Sequence, residues 1–85
     1  MIDTAALLNT RQTTHGDFSQ NAIYAQELRT LFRSSPQWSG MPTVQREALD
    51  MIATKVSRIL SGQYQYDEHW ADVAGYVALA RKACQ

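Results

Sequence analysis

The chain is 85 residues long, with eight basic and eight acidic side chains, a formal net charge of zero and a single cysteine, Cys84. A chain of that length forms one domain, residues 1–85, and buries only about 60–65% of its unfolded surface, so its stability is modest unless something supplements the core. The charge balance argues against nucleic acid and membrane surfaces as partners, and the lone cysteine, with no Cys/His cluster at zinc spacing, argues against disulfides and a structural metal.

The opening MIDTAALLNTRQ has neither the basic region nor the apolar run of a signal peptide. No apolar stretch approaches the ~20 residues that span a bilayer, so a soluble, cytoplasmic protein is expected. Asp3 or Thr4 can cap a short first helix carrying Ala5, Leu7 and Leu8, which the polar run from Asn9 ends. Gly16 then breaks the chain. Asp17 is placed to cap a second helix whose apolar positions, Phe18, Ala22, Ala25, Leu28, Leu31 and Phe32, repeat at three and four. Both prolines fall in SSPQWSGMPT, which is turn chemistry, and Pro42 suits the first turn of a third helix, where its missing N–H costs nothing.

That third helix runs to about Leu60 and stops near Ser61-Gly62. Winding it places Val44, Ala48, Ile52, Lys55, Val56 and Ile59 in one sector, an apolar face with a lysine in it. After the linker QYQY, Asp67 can accept hydrogen bonds from the N–H groups that open a fourth helix. Glu68 suits the positive end of that helix, and Arg81 and Lys82 its negative end. Its apolar residues fill two stripes: Trp70, Val73, Val77, Ala80 and Cys84 form one, and Tyr76, Leu79 and Ala83 form another beside Asp72. A helix apolar on two sides in so small a chain predicts a second partner, most simply another subunit. No stretch alternates at period two. The predicted fold is therefore all-α, a small bundle of about four helices, one short and N-terminal plus three longer, completed by homo-oligomerisation. Short loops make its last helices antiparallel neighbours.

Several polar residues admit both a chemical and a structural role. The Lys55 stem can snorkel along apolar surface to water or to a carboxylate. Alternatively, Lys55 and Arg58, at i and i+3, jointly hold a phosphate. Glu47 and Asp50 share the third helix, while Asp67, Glu68 and Asp72 open the fourth. Converging carboxylates make an oxygen site for Mg²⁺ and the phosphates of a nucleotide; otherwise they start a helix, face solvent, or pair with Lys55 or Arg58. His15, Gly16 and Asp17 lie at a helix entrance, where free N–H groups meet an anion or merely form a turn and cap. His69, Asp72 and Tyr76 share a helical edge, which allows a His–Asp hydrogen bond that tunes proton transfer or simply packs. Trp38 and Trp70 each offer a face for a base; Trp70 reads as core and Trp38 as either. Nucleophilic catalysis has no support, since Cys84 has no patterned histidine, and neither GxSxG nor a glycine-rich phosphate loop occurs.

Taken together, T-H-G-D-F (Thr14 to Phe18), E-A-L-D-M-I-x-x-K-x-x-R-I-L-x-G (Glu47 to Gly62) and D-x-x-W-x-D-V-A-G-Y (Asp67 to Tyr76) resemble a group of small phage and prophage proteins. The segments, spanning roughly residues 11 to 80, are also distantly similar to the all-α MazG-like nucleoside triphosphate pyrophosphohydrolases. A further likeness is to a phage domain associated with nucleotide modification. MazG-like enzymes hold Mg²⁺ against a triphosphate with carboxylates on two neighbouring helices. That resemblance implies Asp72 in the second acidic motif, Glu68 one residue off its usual spacing, and Glu47 and Asp50 in part of the first. The doubled glutamate is missing, however, and Lys55 and Arg58 stand where acids concentrate in those enzymes.

Fewer acids and added cations suit a site that grips phosphate directly. The expectation is a phage-type protein that captures a phosphorylated nucleotide or nucleotide-derived signal without turnover and without a cofactor. By analogy with phage proteins that sequester signals of host immunity, such capture serves counter-defence in the host cytoplasm. Its pocket would be rimmed by Lys55, Arg58, His15 and Asp17, with Trp38, His69 and Tyr76 as further ligand-binding candidates. The alternatives are a Mg²⁺-dependent pyrophosphohydrolase, using Glu47, Asp50, Glu68 and Asp72 as metal ligands, and a module that binds a host protein through its two-sided last helix.

Overall fold

The computed structural model describes Thr4, Ala5 and residues 17–84. The described residues form three helices, α1 (Phe18–Ser34), α2 (Thr43–Arg58) and α3 (Asp67–Arg81), with no strand. A 3₁₀ turn, Trp38–Gly40, joins α1 to α2, and a widened turn, Ile59–Gln63, follows α2. These helices are the second, third and fourth anticipated from periodicity. Thr4 and Ala5 are helical, and the rest of the expected first helix, like His15, lies outside the described residues.

Local chemistry accounts for the helix ends. Asp17 caps α1 in extended conformation, its carboxylate accepting from the Ser19 backbone N–H and hydroxyl, both at 3.0 Å. Pro42 stands one residue before α2, not in its first turn, and its carbonyl accepts the Arg46 N–H at 3.0 Å. At α3 the cap is Tyr66 and no side chain caps. Asp67 is the first helical residue instead, so it and Glu68 act through charge at the positive helix end. Gly62 ends the turn after α2 with φ of 115°, a left-handed conformation that side chains resist. The indole of Trp70 then donates to the Tyr64 carbonyl at 2.9 Å, tying the linker to α3.

Helix α2 lies between the other two, which barely touch each other. Both pairings are antiparallel: Arg33 meets Asp50 and Arg29 meets Thr54, while Gln45 meets Ala80 and Lys55 meets Asp72. The central helix therefore buries two faces. Toward α3 runs the anticipated sector, in which Ala48 and Ile59 are buried. The second face carries Asp50, Ala53, Thr54 and Ser57, of which Ala53 and Ser57 are sealed from solvent, opposite the buried Asn21 and Ala25 of α1. Small side chains there let the two helix backbones approach closely.

Among the described residues α1 packs against one helix, and only a narrow strip of it is covered. Phe18 and Leu31, anticipated as core, are 78% and 65% exposed. Trp70 is likewise half exposed, for its ring lies on the edge of α3 that its hydrogen bond to Tyr64 dictates.

Two substitutions test this packing by chemical denaturation. A Cβ at Gly62 meets open space, so Gly62→Ala should cost about 1–2 kcal/mol through backbone strain alone. Ala53→Leu should cost about 1–3 kcal/mol by forcing α1 and α2 apart.

Candidate functional site

The α1–α2 seam opens at one end into a cleft of about 200 Å³. Phe18, Asn21, Ala22, Ala25, Gln26 and Arg29 line it from α1, and Thr54, Ser57 and Arg58 from α2. Its polar groups are two guanidiniums, two hydroxyls and two amides, with no carboxylate among the described lining residues.

Asp50 sets the geometry of that wall. Its carboxylate accepts from Arg33 Nη1 at 3.0 Å and Nη2 at 2.7 Å, and Arg29 Nε stands 3.8 Å away. Arg29 also donates through Nη2 to the Asp50 carbonyl at 3.0 Å and to the Thr54 hydroxyl. The hydrogen bonds from Arg33 hold the Asp50 carboxyl below the ordinary carboxylate range, against the opposing effect of burial and with help from the charges of both arginines. The same hydrogen bond raises the Arg33 guanidinium. Arg33 in turn lies 4.7 Å above the Trp38 ring, which stacks on Phe32 at 6.0 Å between centroids. Trp38, open to either role from sequence, thus buttresses the α1–α2 corner, away from the cleft lining.

Lys55 and Arg58 do not share a pocket. Lys55 Nζ is 3.0 Å from Asp72 Oδ2, a pair across α2 and α3 in which the lysine is largely covered and the aspartate half exposed. Arg58 faces the cleft, and among the described residues it makes no ion pair. The anomalous lysine of the apolar face is therefore one half of an interhelical ion pair, and the cation that remains available is Arg58.

The four carboxylates suggested by the MazG resemblance are dispersed. Glu47 is exposed, Asp50 turns to α1, and Asp72 is held by Lys55. Glu68 accepts from the Tyr66 hydroxyl at 3.0 Å, a bond that raises the Tyr66 pKa. Among the described residues no three His, Cys, Asp or Glu side chains group as a metal site. This donor set does not fit a shared Mg²⁺. His69 is buried edge-on to the Tyr66 ring at 4.8 Å, and Tyr76, midway along α3, is partly covered. Asp17 is committed to its cap.

Asn21, Arg29, Thr54 and Ser57 escaped sequence reasoning. Their signal was present as small and polar residues at 50, 53, 54 and 57, the spacing of a helix face, matched by 21, 25 and 29 on α1. A search for apolar stripes passes over such a face.

Two measurements check these assignments. A double-mutant cycle of Lys55→Met with Asp72→Asn should give a coupling of about 0.5–1 kcal/mol, small because Asp72 is half exposed. Asp50→Asn should lower stability by about 1 kcal/mol at neutral pH, a figure discounted because Arg33 is solvent-screened. Since the folded carboxyl titrates lower than the unfolded one, its contribution is complete above pH about 4 and vanishes as pH falls through the depressed value. Urea melts from neutral pH down to the acid limb should show wild type and Asp50→Asn converging.

Among the described residues no helix is long and apolar enough to cross a membrane. No curated protein and no solved structure shows significant similarity to the chain. A family described as a domain of unknown function, DUF6378, matches residues 1–84, and the chain belongs to that family.

Proposed function

We propose that this protein captures a small phosphorylated ligand, a nucleotide or a nucleotide-derived signal, in the α1–α2 cleft and does not turn it over. The supporting observation is the composition of the cleft, where Arg58 and Arg29 stand among Asn21, Thr54 and Ser57 with no carboxylate in the lining. Arg58 meets the phosphate, since among the described residues it alone of the two makes no ion pair. Arg29, braced by Asp50 and Thr54, supplies a fixed positive field and needs no reorganisation on binding. Phe18, largely exposed at the rim, offers a flat apolar face to the base. The anion site expected at Lys55 and Arg58 is thus recentred on Arg58 and Arg29.

The resemblance to small phage proteins extends this reading to sequestration of a nucleotide signal inside a host cell, in its cytoplasm. Capture is favoured over MazG-like hydrolysis because the acids that would load Mg²⁺ stand apart, each with a cation, a hydroxyl or solvent. The exposed side of α3 favours a protein partner as a further reading.

The test is thermal melting of the full chain against a panel of nucleotides, with Mg²⁺ or with EDTA, and analysis of the recovered ligand. Ligand at about 100 times its Kd should add about 2.7 kcal/mol of apparent stability. The shift should persist in EDTA with the ligand intact, disappear in Arg58→Glu, and survive in Lys55→Met. Metal-dependent release of pyrophosphate would establish hydrolysis instead, and no shift with any nucleotide would leave the protein-partner reading.

A further inference from the structure

Helix α3 has a second face that its own chain does not use. His69, Val73, Tyr76 and Ala80 point inward, whereas Asp67, Ala71, Ala74, Gly75, Ala78 and Lys82 form the opposite stripe, all exposed. Trp70 and Val77 flank that stripe and are half exposed as well. Gly75 sits in the middle of the helix, where glycine lowers helix stability relative to alanine. A Cβ added there would meet nothing in the chain, so nothing within the subunit requires its absence.

The order of residues along the stripe supplies the second observation. Read from either end, it is symmetric about the Ala74–Gly75 bond. Asp67 mirrors Lys82, Ala71 mirrors Ala78, and Ala74 mirrors Gly75. Two copies of α3 laid antiparallel about a two-fold axis at that bond therefore set the acidic start of each against the basic end of the other. Alanines then meet alanines in the middle. A parallel arrangement would instead set acid against acid and base against base.

We propose that α3 is the homodimerisation helix, pairing antiparallel with α3 of a second copy through the Ala71, Ala74, Gly75 and Ala78 stripe, with Asp67 facing Lys82 of the partner subunit at each end. Gly75 lets the two helix axes approach where they cross. The inference is independent of the capture function, because none of these residues lines the α1–α2 cleft.

Contact through one helix pair lies at the small end of stable interfaces, so sedimentation equilibrium over a wide concentration range is the appropriate readout. The full chain should show a reversible monomer–dimer equilibrium that weakens with salt. Asp67→Lys alone, or Lys82→Glu alone, should weaken association by about tenfold, because each creates two like-charge contacts per dimer. The double variant should recover affinity to within about threefold, since the swapped charges again face each other. Gly75→Leu should abolish the dimer while circular dichroism shows unchanged helicity. A chain that stays monomeric throughout overturns the proposal. So does a dimer indifferent to Gly75→Leu, or single charge reversals that the double variant fails to rescue.

Discussion

Asp50 holds the α1–α2 half of this molecule together. Its carboxylate takes both terminal nitrogens of Arg33, its carbonyl takes Arg29, and Arg29 reaches on to Thr54. Without those bonds, α1 would rest on α2 through little more than Ala25, Ala53 and the polar Asn21 and Ser57. Apolar burial along that seam is small, so directional, charge-assisted hydrogen bonds fix the register. The contact across α2 and α3 is the more ordinary one, an apolar sector edged by the Lys55–Asp72 pair.

That division of labour creates the cleft. A seam lined with alanine, serine and asparagine packs tightly only where the helices are close. Beyond it, where Arg58 and Phe18 stand, the helices leave room and nothing larger fills the gap. The arginine that organises the seam also contributes to the wall of the opening, so structure and electrostatics share one residue. Arg29 is braced in place by Asp50 and Thr54, whereas Arg58 makes no ion pair among the described residues.

The Lys55–Asp72 pair sets this chain apart from the arrangement that the MazG resemblance implies. In a MazG-like arrangement the acids on neighbouring helices converge. Here a lysine on α2 meets the aspartate on α3, and Asp50 is turned by two arginines to the opposite side of α2. The same interactions that keep the carboxylates apart also link the three helices into an antiparallel set. The outer face of α3 is what remains once those internal demands are met.

The amino-acid sequence alone determined the helices and most of their ends. Apolar residues at three and four, Asp17 as a cap, both prolines in one turn and a glycine at position 62 are local signals, and local hydrogen bonding and backbone sterics read them directly. It also narrowed Lys55 to two explanations, one of them the carboxylate of Asp72. Only the tertiary structure decided that α2 is buried on both sides, because its second buried face is polar and periodicity counts apolar residues. Tertiary structure likewise separated Lys55 from Arg58, adjacent on a helical wheel yet drawn to different neighbours. It also brought Phe18, Arg29 and Arg58 around one opening. Such groupings depend on which helix lies opposite which, and that is settled by interhelical register, a long-range quantity that no single helix encodes.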